Sequence, residues 1–224
     1  CGTVPDGRAA GVKEVSPESK RIQFTAPQAR RTYAFWAFSL TIATSGAFMT
    51  GMGFHIHSVF TTAGRDGAAG YDIFLPSAMI TLILRPLVGW LCDRIQLKYL
   101  LMALALSIGV SGLGLAVLSA EHAQWIVIVG GGLGGALFGT LIAVTFPNFY
   151  GRTHLGAISG TCMAIMVFAS ATGPWLFSRA IDATGSYSSV GILFAGLAVL
   201  LFIAAFRAIN PQIHAAAALK DKSP

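Results

Sequence analysis

The sequence is short of charge, of acidic groups and of cysteine. Only 11% of its 224 residues are charged, against about 25% in an ordinary soluble domain. Too few charges remain to coat a soluble globule. Disorder is excluded by the same composition, since disordered chains are charged and poor in aliphatics, whereas 54% of this chain is apolar. Cys1, Cys92 and Cys162 are odd in number, and two lie in or beside apolar runs, which excludes a disulfide scaffold. Neither a nucleotide-binding glycine loop nor a metal-ligand cluster is visible, so no cofactor and no metal is expected. Residues 1–30 hold no apolar run of the signal-peptide kind. What is present is apolar chain, with a mean hydropathy of +0.69, and the class left standing is a membrane protein.

The few charges sit at particular places. Of the 15 basic and nine acidic residues, the larger share falls before residue 32, after residue 206, or in short breaks between apolar runs. The chain therefore divides into a polar head, 1–31, an apolar body, 32–209, and a polar tail, 210–224. The head, with its glycines, prolines and basic residues, reads as a cytosolic linker. Cys1 stands where a start methionine is expected, and the chain is read as part of a longer one.

An all-α fold follows from the body. Runs long enough to cross a bilayer need about 20 residues each, and six are expected near 33–60, 71–92, 98–119, 123–147, 156–179 and 187–208. Six crossings put both termini on one side. With that side inside, the cytosolic segments hold Arg8, Lys13, Lys20, Arg21, Arg30, Arg31, Arg94, Lys98, Arg152, Arg207, Lys220 and Lys222. The outer loops hold only Arg65 and Arg179. The positive-inside rule thus places both termini in the cytosol, and the bundle is expected in the plasma (inner) membrane. The net charge of +6 is a topology signal, and no nucleic-acid partner is implied.

Arg85 is the one ionisable residue deep inside an expected span. An intramembrane charge costs roughly 2.5–3.5 kcal/mol on translocon scales unless it is paired or hydrated. Ser77, Thr81, Arg85 and Gly89 recur every four residues, which gives that helix one polar or small face. Pro86 beside the charge removes a backbone hydrogen bond. Two readings of Arg85 stay open. It faces a water-filled cavity and binds an anion through its planar fork, or it snorkels to the cytosolic interface.

Thr41, Ser45 and His55 are further polar candidates for such a cavity. His55 and His57 lie two positions apart, about 200° on a helix, so they do not share a face and do not suit a metal. The fourth span carries Gly131, Gly135 and Gly139 at steps of four, and the third carries Ala105, Gly109, Gly112 and Ala116. Such stripes let helix backbones approach closely in lipid, either as fixed packing or as surfaces on which helices rock. Asp93 is expected to cap the helix that begins near residue 98, with Arg94, Lys98 or Arg152 as its ionic partner.

Gly89-Trp90-Leu91-Cys92-Asp93-Arg94-Ile95-Gln96-Leu97-Lys98 resembles the G-x-L-x-D-R-x-G-R-R signature of the major facilitator superfamily of secondary transporters. Gly89, Leu91, Asp93, Arg94 and Lys98 fit, while Gln96 and Leu97 depart from it. Phe146 to Gly160 is similar to the loop between the tenth and eleventh helices of that family, and Ala171-Thr172-Gly173-Pro174 is also a familiar pattern there. The resemblance covers roughly residues 28–210. It implies the C-terminal half of such a transporter, six helices in two inverted three-helix repeats, whose partner is the missing N-terminal six-helix half.

Arg85-Pro86-Leu87-Val88-Gly89 looks like the eighth helix of the monocarboxylate and oxalate/formate carriers, where the arginine meets the substrate carboxylate. What the resemblance implies is alternating-access transport of a small organic anion, foremost a monocarboxylate. Arg85, Thr81, Ser77, His55, Thr41 and Ser45 would lie at the substrate. Gly89, Asp93, Arg94, Lys98 and Arg152 would form a cytosolic gate, and Gly131, Gly135, Gly139, Gly173 and Pro174 the helix packing. A half-size protein without activity alone, and a carrier of a different substrate, remain as alternatives. An intramembrane protease is excluded because Ser159 lacks the required glycine two positions before it. A mitochondrial-type carrier is excluded because its threefold P-x-D-x-x-[KR] repeat is absent.

Overall fold

The computed structural model describes residues 22–213. The expected linker therefore lies outside the described residues over 1–21, with Cys1, Arg8, Lys13, Lys20 and Arg21. The expected tail lies outside them over 214–224, with Lys220 and Lys222. Among the described residues the regular elements are all helical. A short helix α1 (Ala26–Arg30) precedes six long ones: α2 (Tyr33–Thr62), α3 (Phe74–Arg94), α4 (Leu97–Ala116), α5 (Ala123–Tyr150), α6 (Leu155–Thr184) and α7 (Ser188–Phe206). A 3-10 turn over Ala68–Ile73 leads into α3.

Five of the long helices, all but α2, are long and apolar enough to cross a membrane. This is one fewer than the sequence reading expects. The reason lies in composition: α2 has 30 residues, but Thr41, Thr44, Ser45, Thr50, His55 and His57 dilute its apolar character. The described residues thus form an all-helical bundle in which five helices have the length and apolarity of membrane spans.

Local chemistry explains the ends of several helices. Thr32 opens α2 with its hydroxyl accepting from the Phe35 amide at 3.3 Å, an N-cap that satisfies one orphan donor. Gln28 accepts from the Thr25 amide at 2.9 Å and closes the start of α1. Gly185, with φ of +67°, ends α6 in the left-handed region that favours glycine. The expected cap by Asp93 does not form. α3 runs on to Arg94, so Asp93 belongs to its last turn, and Gln96 precedes α4 without a side-chain cap.

The helices alternate in direction and gather two distinct ends. One end brings together α1, the α3–α4 turn, the α5–α6 turn and the segment after α7, with Arg30, Arg31, Arg94, Lys98, Arg152 and Arg207. The opposite end holds Arg65, Asp66, Asp72, Glu121, Arg179 and Asp182. Two apolar clusters stack between these ends. The one nearer the basic end centres on Phe35, Phe38, Leu101, Leu104, Phe146 and Tyr150. The other centres on Phe48, Ile56, Phe60, Leu115, Phe177 and Phe194.

Lipid offers helices no hydrophobic reason to associate, so close backbone packing must do that work. α2 crosses α6 where a side chain on Gly173 would run into the Ala47 carbonyl. At the same crossing a Cβ on Gly51 would stand 2.5 Å from Phe177 Cδ2 and 3.1 Å from the Gly173 carbonyl carbon. α4 meets α7 in the same way: a Cβ on Gly112 would lie 2.7 Å from the Gly191 oxygen, and one on Gly191 would lie 2.6 Å from the Gly112 oxygen. Gly109 and Gly112 of α4 are therefore covered by α7, and Gly114 by α5.

Candidate functional site

The site is built on the seam between α3 and α5. Two stripes with a step of four meet along it. A Cβ on Gly131 would stand 3.7 Å from Ser77 Oγ, and one on Gly135 would stand 2.6 Å from Thr81 Oγ1. At Gly139 it would collide with Arg85 Nη2, and Arg85 Cζ would be 3.1 Å away. Ser77, Thr81 and Arg85 thus face Gly131, Gly135 and Gly139 in order. Hydrogen bonds fix the register: Thr81 Oγ1 donates to the Gly132 carbonyl at 2.9 Å, and Ser77 Oγ to the Ile128 carbonyl at 3.3 Å. The hydroxyls satisfy themselves on α5 backbone, as polar groups inside a membrane must.

The constant offset between the pairs decides where the charge lies. Thr81 has a short side chain and meets Gly135 at its own level. Arg85 meets Gly139 with the same offset, so its guanidinium lies across to α5 and does not run along the axis. The basic end of α3, Arg94, is nine residues further on, about 13.5 Å at 1.5 Å per residue. The guanidinium is exposed on this chain, and no hydrogen bond or ion pair holds it among the described residues. The acidic groups among them, Asp66, Asp72, Asp93, Glu121 and Asp182, all lie in loops or terminal turns. An unneutralised arginine midway along an apolar helix is costly in lipid unless it is hydrated or paired with an anion.

The other expected substrate residues fall in three places. Ser45 joins Ser77 in a cavity of about 110 Å³ between α2, α3, α4 and α5, lined also by Ser107 and Ser111. Thr41 is buried, and its hydroxyl donates to its own helix at the Ala37 carbonyl, 2.8 Å away. His55 lies on another side of the bundle. Its Nδ1 is 3.2 Å from the Gly51 oxygen, and its ring stacks on Phe177 with centroids 5.9 Å apart, with Tyr187 also at 5.9 Å. The structure brings Ser77, Thr81 and Arg85 together, adds Ser45 next door, and leaves Thr41 and His55 apart from them. His57 packs its ring over Gly67.

The expected gate residues collect at the basic end. Asp93 and Lys98 line one cavity of about 560 Å³, together with Gln96, Asn148, Asn210 and Gln212. No ion pair joins Asp93 to Arg94 or Lys98 among the described residues. The Arg94 guanidinium sits over the Trp90 ring at 4.5 Å, and Lys98 Nζ over the Tyr99 ring at 5.1 Å. Gly89 lies open, with nothing near the position of a Cβ. The Arg152 backbone N–H donates to Gln23 Oε1 at 3.0 Å.

That last bond belongs to a clasp the sequence reading missed. Gln23 Oε1 also accepts from the Thr153 amide at 3.1 Å. The Phe24 amide donates to the Tyr150 carbonyl at 3.0 Å, and Thr32 Oγ1 meets the Tyr150 hydroxyl at 2.6 Å. Gln212 Nε2 donates to the carbonyls of Ile22, at 2.7 Å, and Phe149, at 3.0 Å. Residues 22–31, read as linker, are therefore docked on the bundle. Two glutamines beside the spans were the available signal. Gly151, with φ of +79°, lies directly under the Gln23 amide. The chain matches no protein-family model and none of the curated proteins.

Proposed function

We propose that the chain is one six-helix half of a secondary transporter of the major facilitator type, and that it carries a small organic anion, foremost a monocarboxylate. The observation that carries the reading is Arg85: a guanidinium at mid-helix, laid across Gly139, with its charge unanswered by any acidic group of the described chain. A carboxylate suits it because the planar fork donates two parallel hydrogen bonds to two oxygens. Exposure of that charge on the isolated half supports an aqueous cavity between this half and a second one. Open faces of α3 and α6, with Leu82, Ile83, Val167 and Phe168 exposed, leave room for that second half and for lipid.

In this reading two bundles rock around a midplane site and open it to each side in turn. Arg85 binds the anion, and Ser77 and Thr81 hold α3 in register on α5. The ends carrying Arg30, Arg94, Lys98, Arg152 and Arg207 are cytosolic, as the positive-inside rule asks. Six crossings are proposed, with α2 as the first.

Uptake of labelled acetate, lactate and oxalate into proteoliposomes containing the full-length protein tests the reading. Replacing Arg85 by Ala is expected to weaken anion affinity by 100-fold or more, about 3 kcal/mol for a charge-assisted pair. Unaltered affinity in the Ala variant would overturn the carboxylate assignment.

A further inference from the structure

The backbone under Arg85 has a consequence for how the charge is aimed. Gly131, Gly135 and Gly139 of α5 face the Ser77-Thr81-Arg85 stripe of α3, and they do not have equal room. At Gly131 an added methyl group would sit 3.7 Å from Ser77 Oγ, ordinary contact. At Gly135 it would press on Thr81, whose hydroxyl is already tied to the Gly132 carbonyl. At Gly139 it would strike the guanidinium itself, with Nη2, Cζ and Nε all within reach. Arg85 has no hydrogen bond among the described residues to hold it, so what sets the guanidinium's position from this side is the bare α5 backbone.

We infer that Gly139 is a positioning residue for anion binding: by lacking a side chain it lets the Nη2 edge of the Arg85 fork come up against the α5 backbone at mid-membrane. This rests on the reading of Arg85 as the anion site. A methyl group at 139 leaves the charge, the helix and the hydroxyls in place and moves only the fork. Displacements of about 1 Å in a positioned binding group cost up to about 100-fold. The physical cause is geometric, because a bidentate pair demands that both N–H groups point along the lone pairs of one carboxylate.

The test is a cycle of Gly139→Ala and Arg85→Lys in the full-length protein, read as KM and maximal rate for labelled lactate and as amount of folded protein in the membrane. Gly139→Ala is expected to raise KM about tenfold or more with maximal rate nearly kept. Gly160→Ala, on α6 where nothing lies within 4 Å of the added methyl, is expected to leave KM unchanged. A lysine ends in a compact ammonium without a fork, so in the Arg85→Lys background Gly139→Ala should add little, the non-additivity of residues acting as a unit.

The inference is overturned if Gly139→Ala leaves KM unchanged, or raises it equally in both backgrounds. Should Gly139→Ala fail to fold, recovery of folded protein in the double variant supports a collision with the guanidinium. Failure of both variants shows instead that the glycine serves helix packing alone, and the inference falls. If Arg85→Ala itself leaves affinity untouched, the anion reading falls first, which separates the two failures.

Discussion

At the scale of single residues, Arg65 shows how a charge can serve architecture alone. Its Nε donates to the Leu118 carbonyl at 2.8 Å, and Nη1 to Gln124 Oε1 at 2.9 Å. Nη2 donates to the carbonyls of Ala120 and Glu121. Leu118, Ala120 and Glu121 lie in the loop after α4, and one guanidinium from the α2–α3 loop binds the carbonyls of all three. Only a planar fork reaches so many acceptors at once, so Lys is no substitute. Arg65→Ala and Arg65→Lys are both expected to lower stability by about 1–3 kcal/mol. Thermal unfolding in detergent checks this, and a wild-type melting temperature in the Lys variant would show that charge alone suffices. In the sequence Arg65 is only one of two outer cations. Its partners are mostly carbonyls, which every residue has, so composition and spacing carry no trace of them. Arg85 was legible for the opposite reason: an ionisable group in an apolar run stands out by its position in the sequence alone.

At the scale of helices, the bundle depends on which glycines are covered. Gly173 on α6 touches the Ala47 backbone of α2, while Gly160 on the same helix has nothing near its Cβ position. Gly173→Ala is expected to destabilise by about 1–3 kcal/mol, since backbone cannot step aside as a side chain can. Gly160→Ala is expected to be neutral or to stabilise by up to about 1 kcal/mol, because alanine favours helix where nothing collides. Melting temperatures of the two variants shifting in the same downward direction would deny that the crossing is the difference.

Helix positions were largely readable, because apolar runs broken by charges and glycines mark them. The ends were less so: α5 runs through Pro147 to Tyr150, and its last carbonyls, at Phe149 and Tyr150, are taken up by Gln212 and Phe24 from outside the helix. The Asp93 cap failed because α3 persists past it. The two stripes, Ser77-Thr81-Arg85 and Gly131-Gly135-Gly139, were each visible, but their pairing was not. A step of four names a face of a helix and says nothing about which other helix covers it.

At the scale of the whole molecule, the proposal requires α2 to cross the membrane. Much of the polarity of α2 is satisfied within the helix or buried. Thr41, Thr44 and Thr50 each donate to the carbonyl four residues earlier, all at 2.8 Å, which removes their demand for water. Ser39, Thr41 and Ser45 are buried, whereas Trp36, Leu40, Met49 and Phe54 are exposed. The two ends of α2 are also tied to the two ends of α5. Thr32 meets Tyr150 at 2.6 Å, and Arg65 meets Gln124 at 2.9 Å. α5 is long and apolar enough to span, so if it crosses, α2 crosses with it in the opposite direction.

Single cysteines placed by Arg31→Cys, Asp66→Cys and Thr153→Cys, in a background without Cys1, Cys92 and Cys162, make this measurable with a membrane-impermeant maleimide. Asp66→Cys is expected to label from the outside of intact cells, and Arg31→Cys and Thr153→Cys only once the cytosolic face is opened. If Arg31→Cys and Asp66→Cys label from the same side, α2 does not cross, and the six-helix half proposed above loses its first span. If the sides are reversed, the basic end faces outward, and the assignment of the cytosolic gate fails while the bundle stands.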